Sequence, residues 1–198
     1  MNNIFKITTK TITGTALLTA VEIVLIVISN YTSIGPVNIN LALVPIALSG
    51  MIFGPLSGMF IGLVNGVITI LSPSTQAIFM PLSPFGTILI CLLKTALAGF
   101  IAGLVYYPFK NKKKNLLLGS FFASLLVPII NTGIFIFGCY TFFYSWLSSS
   151  SAGYDNTFFF LILVVLGWNF LIEFGISSLL SPSINMVVNY YEKRIKDK

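Results

Sequence analysis

Glycine recurs at every fourth residue through one apolar stretch of the chain, at Gly50, Gly54, Gly58, Gly62 and Gly66. Small residues four apart lie on one side of a helix, and in lipid such a strip lets a second helix backbone approach closely. Pro55 interrupts the run, so the pattern predicts two helices that meet at residues 53–55 rather than one long rod. The strip therefore predicts a compact, tightly packed bundle of membrane helices.

The composition supports a membrane protein. Of the 198 residues, 56% are apolar and only 8% are charged, whereas a soluble domain carries about 25% charged residues. Because each span needs roughly 20 residues, this length accommodates about six spans with their turns. We therefore expect a single integral membrane domain over residues 1–198, with no attached ATPase or extracellular receptor domain.

The expected fold is all-α, a bundle of six transmembrane helices. The predicted spans are residues 11–29, 37–53, 55–71, 85–107, 116–144 and 157–180. Lysine and arginine concentrate at both ends of the chain and between spans four and five, and the loops after spans one, three and five contain neither. The positive-inside rule therefore places both termini in the cytoplasm. The net charge of +6 is interpreted as contact with lipid headgroups and not with nucleic acid.

Ionisable and amide side chains occur within the predicted spans. A charge costs roughly 2.5–3.5 kcal/mol at the bilayer centre on insertion scales, so we expect Glu22, Lys94 and Glu173 to face the bundle interior. Asn131 lies at middle depth in span five, and Asn169 shares a helix face with Glu173 because they are four residues apart. Spans four, five and six thus each contribute a polar group, which predicts a cavity that opens to the outside.

The same residues have a structural interpretation. Lys94 and Glu173 would neutralise each other, and Asn131 and Asn169 would link helices by hydrogen bonds. Glu22 is a candidate partner for Lys94 in either case.

The first span carries a small-residue pair, Ala16 and Ala20. At about 100° per residue, Glu22 points roughly 140° away from the middle of this strip. If Glu22 faces inward, the strip faces outward, where it suits the docking of another protein's helix.

Motifs for catalysis, metal binding and nucleotide binding are not found. The sequence has no P-loop, no HExxH and no CxxC pattern, and it contains no histidine. Cys91 and Cys139 lie in apolar stretches and predict no disulfide framework. A Ser–Lys pair built on Lys94 would lack a serine in a recognisable nucleophile context. We therefore expect no enzyme, no cofactor and no metal site.

Together these features resemble the substrate-binding S components of energy-coupling factor (ECF) importers. The resemblance rests on the Ala16 and Ala20 pair, the stretch around Asn131, and the segments NINLALVPIALSGMIFGPLSGMFIGLVNG and SPFGTILICLLKTALAGFIAGLVY. It extends to six spans with both ends inside, and it covers nearly the whole chain.

The resemblance implies a multi-pass protein of the bacterial plasma membrane that binds a vitamin or related micronutrient from outside. It implies that the first helix, through Ala16 and Ala20, docks onto a membrane coupling subunit driven by two ATPase subunits, which bind the ATP. It places the ligand pocket in the outer loops and spans four to six, the region of Lys94, Asn131, Asn169 and Glu173.

Two sets of side chains indicate different substrates. Lys94 suits a carboxylate or phosphate, which favours pantothenate or another small anionic vitamin. Trp168 and Tyr140, together with Phe135, suit stacking on a ring, as in a flavin, cobalamin or a pyrimidine precursor.

Alternative functions remain beside the S component. The main one is a self-sufficient ion-coupled secondary transporter in which Glu22 and Glu173 carry protons, although the internal repeat that such carriers often contain is not visible. An intramembrane enzyme and a purely structural or assembly protein are the others.

Overall fold

The computed structural model describes residues 8–30, 33–34, 37–112, 115–151, 156–161 and 167–196. These ranges are almost entirely helical. The helices are α1 (Thr9–Ser29), α2 (Leu43–Phe53), α3 (Pro55–Ile70), α4 (Met80–Leu82), α5 (Pro84–Lys112), α6 (Leu116–Phe142), α7 (Tyr144–Ser150), α8 (Thr157–Phe160) and α9 (Gly167–Lys196). A π-helical turn over Thr75–Phe79 precedes α4, and the two-residue strands β1 (Ser33–Ile34) and β2 (Val37–Asn38) pair antiparallel.

Three of the described helices, α1, α5 and α6, are long and apolar enough to cross a membrane. A fourth candidate is the pair formed by α3 and residues Thr75–Leu82, which is bent by 67°. Helix α2 and the Asn169–Leu180 part of α9 are apolar but shorter. The chain is thus an all-helical membrane protein with three or four span candidates. The predicted sixth span includes residues 162–166, which lie outside the described residues.

The helix bounds differ from the predicted spans at three places. The predicted sixth span ends at residue 180, but α9 continues to Lys196. The second helix begins at Leu43 and not at residue 37, because Val37 and Asn38 form β2 and pair with β1. The prolines and serines of residues 72–84 are typical of a connection between spans, and here the structure has the π-helical turn and α4.

The glycine strip brings α3 against the backbone of α5. A Cβ added to Gly66 would lie 2.6 Å from the Cys91 carbonyl oxygen, and one added to Gly62 would overlap the Thr95 carbonyl. The Thr95 hydroxyl, on α5, donates a 2.6 Å hydrogen bond to the Gly62 carbonyl oxygen. This contact confirms the close approach predicted from the glycine spacing, since no larger residue fits at this separation.

The predicted break at residues 53–55 is also confirmed. Helix α2 ends at Phe53, α3 begins at Pro55, and Gly54 between them has φ 107°. Glycine adopts this conformation without a steric penalty, and proline suits the first helical position, where no hydrogen-bond donor is needed. Lys110 Nζ donates to the Ile52 carbonyl oxygen (3.0 Å), which satisfies a carbonyl at the end of α2.

The long helices pack against one another around two buried clusters of apolar side chains. Helix α1 packs against α2 and α3, α3 against α5, α5 against α6, and α6 against α9. One cluster is mainly aliphatic and includes Leu43, Ile46, Met51, Ile61 and Val127. The other is aromatic and includes Phe79, Phe135, Phe143 and Phe160. The aromatic cluster forms one wall of the cavity described next.

Candidate ligand-binding site

A cavity lined by both polar and apolar side chains lies where α1, α3, α5, α6 and α9 meet. Its volume is about 60 Å³, which is room for about two water molecules. Ligand sites for drug-sized molecules measure about 300–1,000 Å³. A ligand of that size therefore does not fit within the volume that the described residues enclose.

The only lysine lining the cavity within the described part of the chain is Lys94 of α5. It is 8% exposed, and its ammonium lies over the Phe135 ring, 5.4 Å from the ring centre. An ammonium over an aromatic face is attracted by the ring quadrupole. Lys94 forms no salt bridge with any described carboxylate. Lys94 nevertheless lies close enough to Glu173 for their charges to interact, so the mutual neutralisation of the structural interpretation stays open.

Glu173 of α9 faces the same cavity and is held from two sides. Its Oε1 accepts a 2.8 Å hydrogen bond from the Asn40 backbone N–H, and the Asn131 side chain lies close enough to act on its carboxyl group. Asn131 Oδ1, by contrast, has no hydrogen-bond partner among the described residues. Because Asn131 is only 6% exposed and lines the cavity, this oxygen is available to a donor inside the cavity.

Four of the predicted site residues come together here. Lys94, Asn131, Asn169 and Glu173 all line the cavity, and each is at most 8% exposed. They come from three helices, α5, α6 and α9, as the sequence predicted.

Of the two other predicted site residues, Tyr140 does not join this group. Tyr140 is nine residues after Asn131 on α6, which is about 180° around the helix. Its ring points away from the cavity, is 37% exposed and lies 6.5 Å from the Tyr144 ring. Trp168 belongs to the first turn of α9, and its side chain lies outside the described residues.

The aromatic wall comes from residues that the sequence analysis did not select, apart from Phe135. Phe79, the last residue of the π-helical turn, lies 5.6 Å from Phe135 and 5.1 Å from Phe143, measured between ring centres. Only the fold brings Phe79 to this place, because it belongs to the connection after α3. The three rings line one side of the cavity.

Asn40 and Asn65 are polar residues of the site region that sequence reasoning missed. Asn65 Nδ2 donates to Glu22 Oε1 (2.8 Å), and Asn40 Nδ2 donates to Asn65 Oδ1 (3.0 Å). Glu22 is therefore partnered by Asn65, and the expectation that it pairs with Lys94 is wrong. A signal was present, since Asn65 is a polar residue inside the glycine strip of an otherwise apolar helix.

The small-residue pair of α1 lies on its outer surface. Ala16 and Ala20 are exposed, whereas Glu22 is 0% exposed. The prediction that the alanine strip and Glu22 face different sides of α1 is therefore confirmed.

The sequence was also compared with known proteins. The family model for the substrate-specific component of ECF transporters matches residues 10–185. This range includes every residue described above as lining the cavity and the Ala16 and Ala20 pair. No curated protein matches the sequence significantly.

Proposed function

The chain belongs to the family of substrate-specific components of ECF transporters, and on this basis we propose that it captures a vitamin or related micronutrient from outside the cell. Its ligand would bind in the cavity between α5, α6 and α9. The observation that carries the proposal is the convergence of Lys94, Asn131, Asn169 and Glu173 on one buried space. Uncompensated polar groups are costly in a membrane bundle, so their collection at one place favours a binding role.

The chemistry of the cavity favours a small anionic ligand that also carries hydrogen-bond donors. Lys94 offers a cation without a salt-bridge partner among the described carboxylates. Asn131 Oδ1 offers an unused acceptor, and Glu173 offers carboxylate oxygens. Pantothenate has this combination, with a carboxylate, an amide N–H and hydroxyl groups. Phe135 and Phe79 would contact its aliphatic part, and Trp168, next to Asn169, remains a candidate contact.

The proposed ligand moves inward with the help of other proteins. Ala16 and Ala20 would dock onto a membrane coupling subunit, and two ATPase subunits would supply the energy. Two observations support the proposal that other subunits supply the energy. A small-residue strip is exposed on α1, and the sequence lacks a P-loop. The protein would act as a binding subunit and not as an enzyme.

The proposed topology is a single domain of six spans in the bacterial plasma membrane, with both termini in the cytoplasm. The distribution of lysine and arginine supports it. A cysteine introduced near either terminus should be labelled by a membrane-impermeant thiol reagent only in inverted vesicles.

The decisive experiment begins with the purified chain. Mass spectrometry of the protein should identify a co-purifying small anionic molecule, and calorimetry should show saturable pantothenate binding. Lys94→Met and Asn131→Leu should weaken that binding. A chain that binds no small molecule would instead support the assembly-protein alternative.

The ion-coupled alternative is tested separately. Vesicles that contain this chain alone should accumulate no pantothenate under a proton gradient. Uptake should appear only when the coupling subunit, the ATPases and ATP are present. Uptake by the chain alone would establish the secondary transporter and overturn the proposal.

A further inference from the structure

A continuous set of buried hydrogen bonds connects α1 to the cavity wall on α9. Glu22 of α1 accepts from Asn65 of α3 (2.8 Å), whose Oδ1 accepts from the Asn40 side chain (3.0 Å). The Asn40 backbone N–H then donates to Glu173 (2.8 Å). Glu22 and Asn65 are 0% exposed, Glu173 6% and Asn40 9%. We call these four residues the Asn65 relay.

Asn65 is held in a rigid part of the bundle. Its neighbour Gly66 lies against the backbone of α5 at Cys91, so α3 cannot shift toward α5. Both ends of the Asn65 amide are used, since Nδ2 donates to Glu22 and Oδ1 accepts from Asn40. Rotating the amide by half a turn would place its oxygen against the Glu22 carboxylate and break both bonds. The orientation of Asn65 is therefore determined by its two partners.

Asn40 has a similarly defined position at the entrance to α2. Its Oδ1 accepts from the Ala42 backbone N–H (3.2 Å), while the next residue, Leu41, donates its N–H to Ser29 Oγ on α1 (3.0 Å). These contacts orient the Asn40 backbone so that its N–H faces Glu173. Glu173 in turn lines the cavity with Lys94 and Asn131.

We propose that Asn65 is a positioning residue of the binding cavity, which holds Asn40 and thereby sets the place of the Glu173 carboxylate. This inference rests on the proposed function, because it concerns the affinity of the same cavity. Its consequence is that Glu22, on the helix that carries the Ala16 and Ala20 strip, affects ligand affinity without lining the cavity.

The test exchanges the hydrogen-bond donor and the hydrogen-bond acceptor between Asn65 and Glu22. In Asn65→Asp, the Nδ2 donor is replaced by a carboxyl oxygen, so the bond to Glu22 is lost and the two carboxyl groups can be joined only by taking up a proton. In the double variant Glu22→Gln with Asn65→Asp, the glutamine amide donates to the aspartate, which still accepts from Asn40. We expect Asn65→Asp to weaken pantothenate binding by about tenfold or more, and the double variant to recover most of that loss.

Thr95→Val is the matched control. Thr95 is 0% exposed and donates to Gly62 of α3, one turn before Asn65. The control therefore removes a buried hydrogen bond from the same helix without touching the relay. It should lower thermal stability and leave pantothenate affinity within about twofold of the parent. If Thr95→Val weakens binding as much as Asn65→Asp, the effect is one of general stability and the relay is refuted.

A second measurement needs no ligand. Cys91 lines the cavity, and in a Cys139→Ala background it is the one remaining thiol. Its labelling rate by a small methanethiosulfonate should rise several-fold in Asn65→Leu and Asn65→Asp, and should return toward the parent rate in the double variant.

The two measurements separate the two proposals. If the parent protein binds no pantothenate, the substrate assignment fails, and Cys91 labelling still decides the relay. If Asn65→Leu and Asn65→Asp leave both affinity and labelling unchanged, the relay fails while the proposed function stands. If Asn65→Asp is impaired and the double variant is not restored, Asn65 acts by packing alone and the inference is overturned.

Discussion

The ammonium of Lys94 lies over the ring of Phe135, 5.4 Å from its centre, in the interior of the bundle. The two residues come from α5 and α6, and both line the same cavity. The ring attracts the cation but provides no hydrogen-bond acceptor comparable to a carboxylate. The Lys94 ammonium is thus acted on by the Phe135 ring and by the charge of Glu173 in the same cavity.

Replacement of Lys94 by methionine should abolish tight pantothenate binding. A hydrogen bond to a charged group contributes about 1.5–3 kcal/mol, so the dissociation constant should rise by roughly 10- to 150-fold. Calorimetry on the detergent-solubilised protein measures this directly. Lys110→Met is the control, because Lys110 binds the Ile52 carbonyl at the end of α2 and does not line the cavity. Equal affinities of parent and Lys94→Met would exclude Lys94 as the anion ligand.

Phe135→Leu should reduce affinity by a smaller factor. The substitution keeps an apolar side chain but removes the face that holds the Lys94 ammonium, an interaction worth about 0.5–2 kcal/mol. The matched control is Phe137→Leu, since Phe137 lies two residues further along α6 and is 63% exposed. Titrations of both variants with pantothenate should show weakening for Phe135→Leu alone. Similar losses in both would point to a general effect of shortening aromatic residues on α6.

Gly62→Ala should destabilise the bundle. Its new methyl group would overlap the Thr95 carbonyl, which is backbone and cannot rotate away, so α3 and α5 must separate. Overpacking of this kind costs about 1–3 kcal/mol, which thermal denaturation in detergent should detect as a lower midpoint. Gly133→Ala on α6 is the control, because a Cβ there meets nothing within 4 Å. An unchanged midpoint for Gly62→Ala would contradict the close α3–α5 contact.

Ala16→Trp and Ala20→Trp should block uptake while pantothenate binding survives. A large side chain on the small-residue strip would keep another helix from approaching closely. Uptake is measured in vesicles with the coupling subunit, the ATPases and ATP, and binding is measured on the isolated chain. Val21→Trp is the control, because Val21 is also exposed on α1 but lies about 120° around the helix from the strip. If it blocks uptake equally, bulk anywhere on α1 interferes and the docking face is not defined by the alanines.

Much of the fold follows from local sequence patterns. The break at Gly54 and Pro55 and the close packing at Gly62 were predicted because backbone sterics act at these positions whatever surrounds them. The start of α2 was wrong by several residues, because pairing of Val37 with β1 depends on a second segment. Such pairing leaves little trace in an apolar sequence.

Some residues of the candidate site could be predicted from the sequence, and others could not. Lys94, Asn131, Asn169 and Glu173 could be selected because a polar residue in a membrane span stands out and needs an interior position. The residue type of Tyr140 gave no reason to exclude it from the predicted site. It lies on the outer side of α6 because Asn131, nine residues earlier, faces the cavity. Phe79 and Asn40 could not be selected, because each reaches the site from a connecting segment.

The amino-acid sequence alone determined that this chain is a glycine-packed helical membrane protein, since composition and spacing act locally and need no knowledge of neighbours. It also determined which polar residues must avoid lipid. Only the tertiary structure decided how those residues are partnered, with Glu22 bonded to Asn65 and Glu173 to the Asn40 backbone. The physical reason is that hydrogen bonds depend on distance and direction between residues far apart in the chain, and these are defined only when the helices have packed.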